Sequence, residues 1–274
     1  KYIVIFINFL ILISCQNPEE IKSNSSDTLF KLLDNSESGI DFTNTVINQK
    51  DFNIFKYRNY YNGGGVAIGD INNDSLPDIY FTSNTGNNKL YLNNGDLEFI
   101  DISSKAGVEG DKPWSTGVVM VDINHDGFLD IYVSNAGNME GDNHDNDLYI
   151  NNGDLTFTES AENYNIAKTG FTTHSSFFDY DKDGDLDLYI LNNSNIPVTS
   201  LGYSEQRDLR AQDWKNVPKI FRGVGDMLLR NDNGRFIDVS EKAGIYGSLI
   251  GFGLGVMTSD INMDGYPDIY VSND

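Results

Sequence analysis

The stretch Gly69–Tyr80, GDINNDSLPDIY, decides the fold. Asp70, Asn72, Asp74 and Asp78 stand at positions 1, 3, 5 and 9 of one short bend, and the apolar run Ile79-Tyr80-Phe81 follows at once. Like charges beside a segment that must be buried need a compensating partner. A hard cation is one: Ca²⁺ takes roughly six to eight oxygen ligands, and alternate residues of a tight turn can point inward together. A carbonyl at position 7 and the Asp at position 9 can complete the shell, while Gly at position 6 permits the sharp bend. An EF-hand opens in the same way but closes on a Glu that leads into a helix, whereas here the chain runs on into an apolar strand.

The bend returns as DINHDGFLDIY from Asp122, as DYDKDGDLDLY from Asp179 and as DINMDGYPDIY from Asp260. The predicted metal ligands are Asp70, Asn72, Asp74 and Asp78 in the first copy and Asp122, Asn124, Asp126 and Asp130 in the second. Asp179, Asp181, Asp183 and Asp187 serve the third, where Asp185 offers its carbonyl, and Asp260, Asn262, Asp264 and Asp268 serve the fourth. Ser75 stands where the other copies carry Gly127, Gly184 and Gly265, so strain is expected in the first bend. Mg²⁺ suits the pattern less well because it keeps more of its own water. The alternative is a solvated acidic turn with no ion. A structural role is expected for the ions, one per repeat, pinning loops and neutralising repulsion.

Other segments repeat with the bends. KLYLNNGDLEFIDISSKAGV, DLYINNGDLTFTESAENYNI and MLLRNDNGRFIDVSEKAGI each carry alternating apolar residues, Asn-Gly, and a second alternating run, which is a β-hairpin signal. Small, apolar strands precede the bends: GGGVAIG, STGVVMV, HSSFF and FGLGVMTS. One repeat therefore reads as four short strands, and the fold class as all-β, a β-propeller of four-stranded blades with about three and a half repeats present. Leu29–Phe42, LFKLLDNSESGIDF, resembles the ending FIDISSKAGV and could complete a last blade. The fourth repeat reaches Asp274 midway, so the partial ring is expected to continue in a longer natural protein.

These phrases resemble FG-GAP or VCBS repeats of the integrin α-subunit type. YNGGGVAIGDINND, FFDYDKDGDLDLYILNNS and FGLGVMTSDINMDGYPDIYVSND are closer still to the ASPIC/UnbV class of cartilage acidic protein-like bacterial envelope proteins. The resemblance covers Leu29 to Asp274 and implies a propeller, Ca²⁺ in the loops, and adhesion or ligand capture as the usual role.

The bulk properties agree. The chain has 274 residues, a formal charge of -22 and 12% aromatic residues. Such acidity argues against nucleic acid, whose binding needs a basic face. The single cysteine, Cys15, excludes a disulfide framework. It follows the apolar run YIVIFINFLILI, which fits a secretory signal, and Leu12-Ile13-Ser14-Cys15 resembles a lipobox. Residues 1–14 then form a lipoprotein signal peptide, Cys15 carries the lipid, residues 15–27 form a tether, and residues 28–274 form the propeller. This points to the bacterial cell envelope, on the outer membrane and facing outward, with membrane contact through the anchor alone.

Residues 192–225 interrupt the third repeat and hold Arg207, Arg210, Trp214, Lys215, Lys219 and Arg222. Arg207, Arg210, Trp214 and Arg222 are candidate ligand contacts for an anionic sugar or a protein partner; a short helix packed on the propeller edge is the competing account. Gly141–Asp147, GDNHDND, reads as a polar turn rather than a fifth metal loop. Trp114 and His174, at matched places, are candidates for one propeller mouth or for packing. No GxSxG, HExxH or CxxC pattern marks an enzyme. The expected function is a non-catalytic, Ca²⁺-binding, surface-tethered module for an extracellular ligand or partner. The alternatives are a carbohydrate-active lyase or hydrolase and a scaffold for an envelope complex.

Overall fold

The computed structural model describes residues 29–136, 143–194, 225–245 and 251–273. The expected signal peptide, Cys15, the tether, and Arg207, Arg210, Trp214 and Arg222 lie outside the described residues. Leu29–Asp34 belongs to a separate N-terminal unit and contains no strand or helix. The expectation of an outer strand there is therefore not met, and only the one-turn helix α1 (Asn35–Ser38) of the neighbouring unit takes regular structure.

The larger unit is all-β and propeller-like. Blade one holds β1 (Val66–Gly69), β2 (Asp78–Phe81), β3 (Lys89–Asn93) and β4 (Phe99–Asp101). Blade two holds β5 (Ser115–Val121), β6 (Asp130–Asn135), β7 (Asp147–Asn151) and β8 (Phe157–Glu159). Blade three holds β9 (Thr172–Phe178), β10 (Asp187–Asn192), β11 (Met227–Asn231) and β12 (Phe236–Asp238). Each is an antiparallel meander with its strands in chain order. A fourth sheet pairs β13 (Gly253–Ser259) with β14 (Asp268–Asn273). Asn192 closes β10, so the expected insertion starts after the strand rather than at it.

Burial on both faces explains why the second strands read as unbroken apolar runs rather than as alternation. Ile131 and Val133 of β6 face a core shared with blade one, where Tyr80 and Leu90 meet Val108 and Phe157. Tyr132, between them in sequence, points the other way into a core with Leu188, Ile190 and Phe236 of blade three. Tyr189 and Leu191 then meet Val256, Ile269 and Val271 of the fourth sheet. The sheets therefore stack face to face in order, with β1, β5, β9 and β13 as successive inner neighbours.

Those inner strands approach closely, which is why they are built from small residues. A Cβ on Gly117 would come within 2.6 Å of His174 Nδ1 and 2.7 Å of Thr173 O, and one on Gly65 within 2.6 Å of Thr116 O. Hydroxyls then stitch blade to blade: Thr82 Oγ1 donates to Thr116 O, Thr116 Oγ1 to Thr172 O at 2.6 Å, and Thr173 Oγ1 to Gly253 O at 2.8 Å.

Outer turns seal the flanks. After β4 and β12 the chain makes one helical turn, α2 (Ser103–Ala106) and α3 (Ser240–Ala243), ended by Gly107 and Gly244 in the left-handed region. Blade two makes the same turn with Asn165, φ 62°, in the glycine's place, and Asn165 Nδ2 donates to Phe236 O of blade three at 2.7 Å. Helix α1 with Gly39 repeats this motif against Phe99 of blade one, so the likeness of NSESG to SSKAG is a likeness of turns.

The hairpins form where expected, with two closures. Asn233-Gly234, both at positive φ, make a two-residue turn in blade three with Asp232 N donating to Arg235 O at 2.9 Å. Blades one and two carry one more residue: Gly95, Asp96 and Leu97 take positive φ in the first, with Asn94 N donating to Glu98 O at 2.8 Å, and Gly153 and Leu155 do in the second, with Asn152 N donating to Thr156 O at 3.0 Å.

Asn88 Oδ1 and Asn146 Oδ1 cap the ends of β2 and β6 by accepting from Ser83 N and Asn135 N, each at 2.8 Å. Asp226 does the same for Asn192 N at 2.9 Å, and its other oxygen accepts from Tyr189 OH at 2.9 Å. Burial raises the Asp226 carboxyl from 3.8 to about 6. A raised acid stabilises the fold while protonated, and that contribution disappears as pH rises through about 6. Asp226→Asn, which copies the other two blades, is expected to remove this loss. The melting temperature of the variant should exceed wild type at pH 7, by a stability difference on the order of 2 kcal/mol, and match it near pH 4.

Candidate metal centre

All four predicted bends exist and lie at the same end of their sheets, between the first and second strands. Their internal bonding is nearly identical. In the first, Asp70 accepts from Asp74 N at 3.1 Å and Ser75 N at 2.7 Å, and Asp74 accepts from Leu76 N at 2.8 Å. The second and fourth repeat this with Asp122 and Asp126, and with Asp260 and Asp264. Position 3 is brought against position 5 in each: Asn72, Asn124 and Asn262 donate Nδ2 to Asp74, Asp126 and Asp264 at 2.9, 2.8 and 3.0 Å.

The third bend differs in one side chain and in lacking the bond from the position-5 N–H to Oδ1 of position 1. Asp181 replaces that asparagine and has no N–H to give. Ligand oxygens of Asp179, Asp181 and Asp187 lie within 4.8 Å of one another, and Asp179 Oδ1 is buried without a hydrogen-bond partner. Three carboxylates converging on an orphaned oxygen, with oxygen as the only donor element, fit a hard divalent cation. Asp183 belongs to the same bend and accepts from Asp185 N at 3.0 Å.

The aspartate at position 9 has a second task. Asp78 accepts from Ile71 N at 3.0 Å through one oxygen and from Asn93 N at 2.8 Å through the other. Asp130 binds Ile123 N and Asn151 N, and Asp187 binds Tyr180 N and Asn231 N, in the same way. Asp268 accepts from Ile261 N at 2.9 Å. Burial raises the Asp78 carboxyl and lifts Asp130 and Asp187 to about 6, with the backbone N–H groups opposing the rise and the neighbouring loop aspartates adding to it. A cation in the bend would oppose the rise directly.

Sequence reasoning missed Asn93, Asn151 and Asn231, the last residues of β3, β7 and β11. Besides the N–H held by the aspartate, their side chains donate to Pro77 O, Leu129 O and Leu186 O at 3.0, 3.1 and 3.2 Å. The signal was present, since Asn ends LYLN, LYIN and LLRN. Position 4 was also missed: Asn73, His125, Lys182 and Met263 all sit at φ between 59° and 64°. From there Asn73 Nδ2 donates to Gly127 O of the next bend at 3.0 Å, and Lys182 Nζ lies 3.8 Å from the centre of the Tyr266 ring. His125 is exposed, as expected. In the turn read from GDNHDND, the His144 ring lies tilted against Phe171, and no acidic cluster of ligand geometry forms there among the described residues.

A family model described as FG-GAP-like repeat matches residues 70–133 and 136–190. The match covers less than half of the chain. The matched residues begin at Asp70 and take in the first three bends. Cartilage acidic protein 1 from Xenopus tropicalis is 34% identical over 137 residues, 49% of this chain and 20% of that protein. The Homo sapiens protein of the same name is 29% identical over 218 residues, 78% of this chain and 28% of its own length. The Mus musculus protein is 29% identical over 222 residues, 78% of this chain and 29% of its own length. The chain thus spans less than a third of the curated relatives it matches.

Ser75 holds φ 72° where Gly127, Gly184 and Gly265 hold 90°, 98° and 87°, so the expected strain is present in the first bend. A non-glycine residue there costs about 1 kcal/mol. Ser75→Gly should raise the melting temperature by relieving this strain, read against wild type. A melting temperature that is unchanged or lower in the variant would remove the strain argument.

Proposed function

We propose that the chain is a Ca²⁺-stabilised propeller module, anchored to the bacterial cell surface through a lipid on Cys15, that binds an extracellular ligand or partner without catalysis. The observation that carries the reading is the third bend, where Asp179, Asp181 and Asp187 converge. The other three bends share its backbone geometry and offer the matching set of oxygens. Asp179, Asp181, Asp183 and Asp187, with their counterparts in the other copies, would hold the ion, which supplies charge neutralisation and fixes the bend. The match to FG-GAP-like repeats supports a binding role.

The ions act on stability. Extracellular modules bind Ca²⁺ with a dissociation constant of roughly 0.1–1 mM. At tenfold excess each site would add about 1.4 kcal/mol, so four sites together rival the net stability of a typical domain. Melting in EDTA should fall well below melting in millimolar Ca²⁺ and recover on adding the ion back. An unchanged curve, with no metal retained by the purified chain, would end the calcium reading.

The anchor has its own support in Leu12-Ile13-Ser14-Cys15 after an apolar run. Among the described residues no helix is long and apolar enough to cross a membrane. Labelled palmitate should enter the protein in a bacterial host and be lost in Cys15→Ser; labelling that survives the substitution would rule the anchor site out.

A further inference from the structure

Opposite the acidic bends, the beginnings of all four inner strands meet around a pocket of about 250 Å³. Val66 of β1, Thr116 and Gly117 of β5, His174 of β9 and Leu254 of β13 line it, and the segment before β1 contributes Tyr57 and Asn59. That segment is held over this end by an aromatic cluster in which Phe52, Tyr57 and Tyr60 pack on Trp114. Trp114 packs in this cluster and lines a separate pocket with Phe52 and Asn84, while His174 faces this one.

Some of the polar groups here are unsatisfied. Among the described residues, the buried side-chain atoms without a hydrogen-bond partner are Tyr57 OH, Asn59 Nδ2, both polar atoms of Asn193, and Asp179 Oδ1. All but the last belong to this neighbourhood: Tyr57 and Asn59 line the pocket, and the Asn193 amide stands beside the Tyr57 hydroxyl without closing a well-formed bond. Tyr57, Asn59 and Asn193 are only 3%, 4% and 3% exposed, so bulk water does not serve them. Leaving such groups unpaired costs about 1–3 kcal/mol each, a cost a folded chain seldom carries without a partner for them.

The chemistry of the walls narrows the occupant. No residue lining the pocket is charged: His174 is pushed toward its neutral form by burial, and the rest are amides, hydroxyls, aliphatic groups and glycine backbone. Nothing there compensates an anion, and no carboxylate lines the pocket to balance a cation. The volume is below the roughly 300–1,000 Å³ of drug-sized sites, so the ligand is small. We propose that this pocket binds a neutral, polyhydroxylated molecule of monosaccharide size, whose hydroxyls pair with Tyr57, Asn59 and Asn193. The proposal rests on the binding-module reading above but not on its ions, so it can fail while the calcium melt succeeds, and the reverse.

The test uses the full chain in saturating Ca²⁺. Methyl α-D-mannopyranoside, methyl β-D-galactopyranoside and myo-inositol are titrated at millimolar concentration, followed by calorimetry and by ligand-observed NMR. At least one should saturate, and both Tyr57→Phe and Asn193→Ala should weaken it about tenfold, the loss of one neutral hydrogen bond. Tyr57→Phe keeps the ring in its aromatic cluster, and melting curves identify any variant that does not fold; Asn59→Ala then takes its place. Binding unaffected by these substitutions would overturn the proposal. So would a high-resolution crystal structure in which ordered waters alone bridge the three side chains, with no probe bound.

Discussion

Each blade depends on one buried carboxylate held by two backbone N–H groups. Asp78, Asp130 and Asp187 join the start of the acidic bend to the end of the third strand, so a single side chain fixes three elements at once. Burying a charge costs several kcal/mol even after relaxation, and hydrogen bonds to a charged group return about 1.5–3 kcal/mol each. Two such bonds nearly offset the desolvation, and the lifted carboxyls of Asp130 and Asp187, at about 6, record the remaining deficit. The crowding of acids around the bend would deepen that deficit, and a divalent ion would reverse it. The apolar run after the bend can then enter the space between two sheets, where the face-to-face stacking needs it.

Much of this was legible in the sequence because the repeat samples the same physics several times. The acidic positions, the hairpins and the strained Ser75 each follow from residue type at fixed spacing. What spacing cannot supply is the partner on another strand. Asn93, Asn151 and Asn231 were visible as a pattern, yet their purpose appears only when β3, β7 and β11 lie beside the bends. Position 4 escaped because Asn, His, Lys and Met share no chemistry; what they share is a left-handed backbone, set by the turn. The likeness of Leu29–Phe42 to the blade ending was real for NSESG and absent for the residues before it, since a helical turn is encoded locally and an outer strand needs a neighbour to pair with. The pocket was least legible of all. Tyr57, Asn59 and Asn193 come from segments that no motif links, and only their missing partners single them out.

The two ends of the sheets carry different burdens. At one end every connection between first and second strands is the same bend, copied nearly atom for atom. At the other, the links from β2 to β3, β6 to β7 and β10 to β11 begin alike, each capped by Asn88, Asn146 or Asp226, and then diverge in length, the third by far the longest. The caps hold the strand ends in all three blades although the links differ in length. The architecture thus divides its labour between a rim of uniform bends and a facing rim whose links vary in length, so chemical variety can accumulate on the second without altering the first.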